Sequence, residues 1–295
     1  MSNTNKPIDS ERDNVYIKRS KARRVIPGFG LSLGITIAML SMLIIIPLLS
    51  ILVYAFRLTP AQFLECITAE GVRWAFLTSV STSLLAALIN SVFGIILAWV
   101  LVRYDFPGKR ILDGLIELPF CIPTAVAGIT LSKLYSDKGM FGKMLEPFGI
   151  KVSYTHAGII VAMVFIGIPF VVRAIQPVLE KLDRQYEEAS YMLGAGRSVT
   201  FFRIIIPELI PALLTGFGLS FARGIGEYGS VIYISGNSAK QHTQVVSYVI
   251  MQKLNFMDYA GATSVALVML IISFLMLLFI NIVQVRQSRR TNESA

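Results

Sequence analysis

Charge is scarce in this chain. Asp, Glu, Lys and Arg together make up 15% of its 295 residues, against roughly 25% in an ordinary soluble domain. Hydrophobic side chains make up 54%, and the mean hydropathy is +0.65. Length alone would suggest about two soluble domains. A chain this apolar cannot cover itself with polar surface in water, which excludes a soluble enzyme and a disordered tail protein. Cysteine is nearly absent: Cys66 and Cys121 lie in different regions, which excludes a disulfide scaffold and leaves no metal-ligand spacing. The only histidines, His156 and His242, sit near the outer ends of apolar runs and form no shared metal site with the cysteines. No G-x-x-x-x-G-K-[ST] occurs, hence no P-loop for ATP, and no G-x-S-x-G occurs. A G-x-G-x-x-G is present at Gly224, Gly226 and Gly229. A dinucleotide site needs a preceding strand and an acid about 20 residues later; here the motif follows an apolar helix, and that distance reads Gln244-Val245-Val246-Ser247-Tyr248. These glycines are read as allowing a turn or close packing at the end of a span.

What the chain does have is long runs without charge: residues 25–56, 74–102, 152–172 and 259–285. A helix rises about 1.5 Å per residue, so roughly 20 apolar residues cross a hydrocarbon core of about 30 Å. Two further runs are less pure: residues 111–132 begin with Asp113 and Glu117, and 204–222 carry Glu208 near their start. Six spans leave no apolar segment without a place to be buried. Backbone polar groups in lipid must pair within the protein, so the spans are helices, and the alternating ten-residue segments of a barrel are absent. The expected fold class is all-α, a polytopic membrane protein with six transmembrane helices. Its spans lie at about 25–56, 76–102, 111–132, 155–173, 204–223 and 260–285 within a domain over 25–285, with a connecting loop over 176–203 and tails over 1–24 and 286–295. The polar N-terminal stretch precedes a run much longer than the roughly 7–15 residues of a signal-peptide core, so it is read as a tail.

Orientation follows from Lys and Arg. With six spans, the two tails and the loops 103–110 and 173–203 hold 18 of the 27 basic residues, and the opposite side holds nine. The positive-inside rule makes the first side cytoplasmic, with both termini inside. The net charge of +9 is thus accounted for by topology, and nucleic acid is not an expected partner.

Pro47, Pro119, Pro123, Pro169, Pro207 and Pro211 fall inside the spans. Each removes a backbone donor and bends or interrupts its helix. The bends are either ordinary packing features or mark a path lined by broken helices, for which Pro119 with Pro123 is the first place to look. Gly30 and Gly34 form one small-xxx-small pair. Asp113 and Glu117, four apart on one helix face, are read as pairing with the flanking Lys109 and Arg110 or, alternatively, as a proton relay.

The loop from Gln176 to Arg203 is far longer than the 2–8 residues a plain helix–helix connection needs. Leu182, Tyr186, Ala189 and Leu193 are spaced as one apolar stripe on a helix, which Gly194 and Gly196 then end. Such a helix either lies in the membrane interface or docks in a groove of a soluble partner. The loop's basic and acidic residues roughly cancel, whereas interfacial helices favour excess Lys and Arg, so docking is the better fit.

Glu188-Ala189-Ser190, three residues, Gly194, nine residues, then Ile204-Ile205-Ile206-Pro207 resembles the E-A-A-x3-G-x9-I-x-L-P signature of ABC importer permeases, with Ser190 and Ile206 as departures. The resemblance implies a coupling helix seated in a separate ATPase subunit, with Glu188 as the polar contact, Ala189 and Leu193 as the packed face, and Gly194 as the turn. Leu118-Pro119-Phe120-Cys121-Ile122-Pro123-Thr124-Ala125-Val126-Ala127-Gly128, together with Arg103-Tyr104-Asp105-Phe106-Pro107-Gly108, Phe170-Val171-Val172-Arg173 and Gly226-Glu227-Tyr228-Gly229-Ser230, is similar to the sulfate/thiosulfate importer permeases, closest to their T-type subunit. Molybdate permeases are similar around Gly226–Gly229, so a molybdate or tungstate importer is the alternative.

The resemblance implies a type I importer permease without its own ATPase site or cofactor. Its implied partners are a W-type second permease, two copies of an ATP-binding subunit and a periplasmic sulfate-binding protein. Burying a dianion is costly unless hydroxyls, helix N-termini or a cation replace water. Thr124, Ser220 and Arg223 are the named candidates, beside Pro119, Pro123 and Glu227; Arg223 alternatively forms a salt bridge with Glu227 one turn on. A proton-coupled secondary transporter, the reading from another class, would need acids deep in the spans and a repeated half.

Overall fold

The computed structural model describes the backbone of residues 29–293 and the side chains of residues 29–287. The expected N-terminal tail over 1–24 lies outside the described residues, and the described ones contain helices, turns and loops without a strand. The first apolar run forms α1, Phe29–Ala55, in which none of the most apolar window is buried. Its π-turn, Ser41–Ile45, precedes Pro47 by two positions. A proline lacks the N–H that would close the ladder and crowds the carbonyl four residues back, and the wider turn absorbs the mismatch.

The chain divides into two units, residues 1–49 and 50–295. Of the first, the described part is helical and exposed except at Ser41. The second begins with the end of α1 and continues with α2 (Pro60–Thr68) and α3 (Glu70–Arg103). A capping box between Thr59 and Gln62 starts α2. Then come α4 (Lys109–Cys121), α5 (Thr124–Leu134), α6 (Met140–Leu145) and α7 (His156–Lys181). The chain ends with α8 (Gln185–Met192), α9 (Arg197–Ile225), α10 (Val231–Ile234), α11 (Val246–Asn255) and α12 (Tyr259–Glu293). In α9 a π-turn, Phe201–Ile205, again stands two positions before a proline, Pro207.

Helix α7 is the centre of the second unit, with 56% of its most apolar window buried against 39% for α3, 33% for α9 and 17% for α12. Small residues let the backbones approach. A Cβ at Gly94 of α3 or at Gly216 of α9 would collide with Val171 of α7, and one at Gly167 of α7 would collide with Asn90 and Ser220. Polar side chains then join the same helices: Asn90 Nδ2 donates to Ser220 Oγ at 3.0 Å, and Ser79 Oγ accepts from Val246 N at 2.8 Å where α11 starts. Between membrane helices such contacts replace the missing hydrophobic drive, at about 0.6 kcal/mol per hydrogen bond.

The connections gather at opposite ends of this bundle. At one end His156 Nε2 lies 3.0 Å from the carbonyl of His242, whose ring stacks on Trp74, and Tyr154 N donates to Ile234 O at 2.7 Å. At the other end Arg103 meets Glu187 at 2.7 Å.

The structure refines several of the expected boundaries and pairings. Residues 111–132 are not one straight helix: α4 and α5 are bent 111° apart at Ile122–Pro123, as a broken span or a re-entrant loop, at the proline pair singled out as the first place to look for a broken helix. The loop expected over 176–203 is shorter, because α7 continues through Pro177 to Lys181 and α9 already begins at Arg197. Leu182 therefore caps α7 and is not part of the stripe through Tyr186, Ala189 and Leu193. Asp113 and Glu117 pair with Arg173 of α7, at 2.8 and 2.7 Å, and not with Lys109 or Arg110; Lys109 instead binds Asp105 at 2.9 Å. At the C-terminal end, residues 286–293 extend α12 as helix.

Candidate functional site

The loop between α7 and α9 carries the first candidate site. Asp183 Oδ1 accepts from Gln185 N at 3.0 Å in a turn just ahead of α8, whose N-cap is Arg184. The helix ends in a Schellman motif: Ala195 N donates to Ser190 O at 3.1 Å and Gly194 N to Tyr191 O at 2.9 Å. Gly194 has φ +82°, a conformation costly for a residue with a Cβ, and nothing lies within 4 Å of where a Cβ would stand. The glycine is there for backbone freedom and not for space.

One face of α8 is tied down and the other is bare. Ser190 is 6% exposed and shares a 2.9 Å hydrogen bond with the hydroxyl of Thr200, itself fully buried. Glu188 and Ala189 are exposed, and Leu193 is 89% exposed. The adjacent Met192 is equally bare. Two large apolar side chains fully in solvent beside an acid and a small residue make a surface that fits a docking partner. Pro207, further along, sits in the first turn that follows the π-turn of α9.

The second candidate site is the break between α4 and α5. Pro119 is buried inside α4, whereas Pro123 is exposed and stands as the N-cap of α5 with no side-chain cap bond. Thr124 opens α5 half-buried. The segment Gly226–Ser230 lies against this first turn: a Cβ at Gly229 would collide with Thr124 Oγ1, and one at Gly128 with the backbone of Ser230. Within the segment, Glu227 is 2% exposed. Its carboxylate is bound by Arg223, by Ser230 N at 2.9 Å and by Ser230 Oγ at 3.0 Å, while its own carbonyl accepts from Ser247 Oγ at 2.7 Å. The salt-bridge alternative for Arg223 is the one the structure has. A buried carboxylate needs such compensation, and the three donors supply it. Ser220 lies away from this break, 3% exposed between α3, α7 and α9, bonded to Asn90.

Several partners were not foreseen from sequence. Thr200 for Ser190, Asn90 for Ser220, Arg173 for the two acids, and Glu187 for Arg103 all pair across helices. No local pattern signals such a pairing; a buried asparagine in an otherwise apolar span was the one available clue.

With this geometry in view, the relationships to known proteins are direct. Residues 90–293 match the family described as binding-protein-dependent transport system inner membrane component. The chain belongs to that family. It is 46% identical over 269 residues, 91% of this chain and 97% of the relative, to the sulfate transport system permease protein CysT of Escherichia coli (strain K12). It is 42% identical over 85% of its length, and 90% of the relative, to the protein of that name from Synechococcus elongatus. Among solved structures, a bacterial ABC transporter involved in the import of the acidic polysaccharide alginate has the same fold, with TM-score 0.74, 17% identity, and coverage of 88% of this chain and 96% of that one. A bacterial alginate ABC transporter in complex with alginate pentasaccharide-bound periplasmic protein is similar as well (TM-score 0.73, 18% identity, 89% of this chain and 94% of that one covered). The chain is therefore an inner-membrane permease component of a binding-protein-dependent importer, and ATP hydrolysis belongs to a separate subunit of such systems.

Proposed function

We propose that this chain is the T-type permease subunit of an ATP-driven sulfate/thiosulfate importer. The observation that carries this reading is the 46% identity to a sulfate permease across 97% of that relative's length, which includes both candidate sites. The subunit pairs with a W-type permease, rests on two copies of an ATP-binding subunit, and receives its anion from a periplasmic sulfate-binding protein. The excess of Lys and Arg puts both termini and α8 on the cytoplasmic side. Glu188, Ala189 and Leu193 contact the ATPase subunit, and closure of the ATPase pair moves α8 as a rigid body that carries the membrane helices between two states.

We place the anion path at the α4–α5 break. Thr124 and the uncapped first turn of α5 offer a hydroxyl and N–H groups to a dianion stripped of water. Pro119 and Pro123 maintain the break. Arg223 and Glu227 hold the Gly226–Ser230 segment against it, and Ser220 supports the wall through Asn90. The test is uptake of labelled sulfate by cells in which this subunit is the sole T-type permease, with thiosulfate and molybdate as competitors. Inhibition by thiosulfate supports the reading; inhibition by molybdate alone overturns it in favour of a molybdate importer.

A further inference from the structure

The coupling helix α8 is joined to the membrane helices by two polar links of different kinds. Ser190–Thr200 joins it to the start of α9, the element that follows it directly in the chain. The other link crosses to a helix 84 positions earlier: Arg103, the last residue of α3, lies 2.7 Å from Glu187. Around this second link the helix does not pack flush. A cleft of about 580 Å³ opens between α8, the end of α3 and the start of α9, lined among others by Trp99, Tyr104, Tyr191 and Phe202, and both Arg103 and Glu187 line it.

The pair is well shielded for a membrane–water boundary, at 10% side-chain exposure for Arg103 and 15% for Glu187. Arg103 is further oriented by donating to Leu182 O at 3.2 Å, the C-cap of α7, and by lying 5.6 Å over the Trp99 ring. One guanidinium therefore touches the ends of α3 and α7 and the coupling helix. The facing atoms are not saturated: Arg103 Nε and Glu187 Oε1 are buried without a hydrogen bond. A two-bond Arg–carboxylate fork would satisfy both.

We infer that the Arg103–Glu187 pair is the strut that transmits displacement of the coupling helix to α3, so that Arg103 is a positioning residue for transport. The inference deepens the proposed function and rests on it. A shielded charge pair resists separation more than the apolar edges of a cleft do, because parting it leaves two unpaired charges. When the bare face of α8 is gripped and moved, α3 follows through this contact. Glu187 stands next to Glu188, so the residue read as gripping the motor and the residue bearing on the membrane helix are adjacent on one short helix.

The experiment uses the assembled importer with its ATPase subunits and binding protein in proteoliposomes, and reads sulfate taken up per ATP hydrolysed. Arg103→Ala and Glu187→Ala are expected to lower that ratio about tenfold while the ATPase subunits still co-purify, because contacts in such a network modulate coupling without touching either ligand. The exchanged pair, Arg103→Glu with Glu187→Arg, is expected to recover part of the loss. A ratio equal to wild type in both single variants overturns the strut, as does a fall in uptake matched by lost ATPase association that the exchange does not repair. Where an alanine variant does not assemble, Arg103→Gln and Glu187→Gln decide: each keeps much of the side chain's bulk but removes one charge of the pair, so a lowered ratio supports the strut and an unchanged one overturns it. A wild-type complex with no ATP-driven sulfate uptake overturns the proposed function itself, whereas normal wild-type uptake with fully coupled variants removes the strut alone.

Discussion

Ser190 of α8 and Thr200 of α9 share a 2.9 Å hydrogen bond in a buried seam. Ser190 stands where the signature it resembles has alanine, and the structure gives the departure a reason: the hydroxyl fastens α8 to the helix that follows. Ser190→Ala should lower stability by about 0.5–1.5 kcal/mol, a typical net value for one intramolecular hydrogen bond, and leave transport intact, since Thr200 keeps its bond to Gly196 O at 3.3 Å. Thr200→Val, which strands the Ser190 hydroxyl in a buried seam, should lose more. Thermal unfolding of the two variants in detergent orders them.

Gly194 separates backbone strain from crowding. Gly194→Ala meets no atom within 4 Å but must hold φ +82°, at a cost of about 1–2 kcal/mol. The end of α8 should reshape, and the ATPase subunit should bind more weakly. Gly194→Asn, which tolerates that conformation better, should lose less. Pull-down of the ATPase subunit with each variant measures the difference.

Glu188 and Leu193 are exposed and make no packing contribution that their removal would forfeit. Glu188→Arg and Leu193→Asp should each leave unfolding within about 0.5 kcal/mol of wild type and abolish association with the ATPase subunit and uptake. Loss of membrane insertion in these variants would contradict the docking role.

Gly128 and Gly167 should behave differently from each other. A Cβ at Gly128 meets the backbone of Ser230, which has little room to yield, whereas one at Gly167 meets the side chains of Asn90 and Ser220. Gly167→Ala should cost about 1–3 kcal/mol, partly relieved by adding Asn90→Ala. Gly128→Ala should displace the Gly226–Ser230 segment from α5 and stop uptake, with no rescue from a side-chain change. Uptake assays on the three variants check this.

Asp258 gives a dependence on pH. The Lys253 ammonium at 2.9 Å, aided by a bond from Gly261 N at the start of α12, holds its carboxyl below the ordinary value of 3.8. A carboxyl lowered in the folded protein stabilises above its unfolded value and loses that contribution as pH falls through the folded one. Unfolding temperature should therefore show no contribution from Asp258 to pH dependence between about pH 5 and 8, then fall below pH 4 more steeply in wild type than in Asp258→Asn.

How much of this was readable beforehand differs by scale. The runs around α1, α3, α7 and α12 were plain because hydropathy is a local property and lipid demands it. The 111° turn at Pro123 was readable only as a place to look, because the sequence marked Pro119 with Pro123 but left open whether the helix bends or breaks there. Proline removes one donor wherever it stands, yet Pro169 and Pro177 leave α7 continuous; the outcome depends on what packs alongside, here the Gly226–Ser230 segment. The apolar stripe failed at Leu182 for the same reason, since α7 runs through Pro177 and consumes that position. Arg173 and Arg103 found their carboxylates 60 and 84 positions away, and sequence proximity had pointed Asp113 and Glu117 to the wrong cations. The signature over Glu188–Pro207 could be read because its spacing is local, whereas the contacts that hold α8 in place, Ser190 with Thr200 inside that stretch and Glu187 with Arg103 84 positions earlier, depend on how the helices pack.

The most direct test is the side of the membrane on which residue 188 stands. With Cys66 and Cys121 replaced by serine and Glu188→Cys introduced, an impermeant thiol reagent should label the protein in inside-out vesicles but not in intact spheroplasts, and bound ATPase subunits should block the reaction. Labelling of intact spheroplasts from the outside would contradict the account.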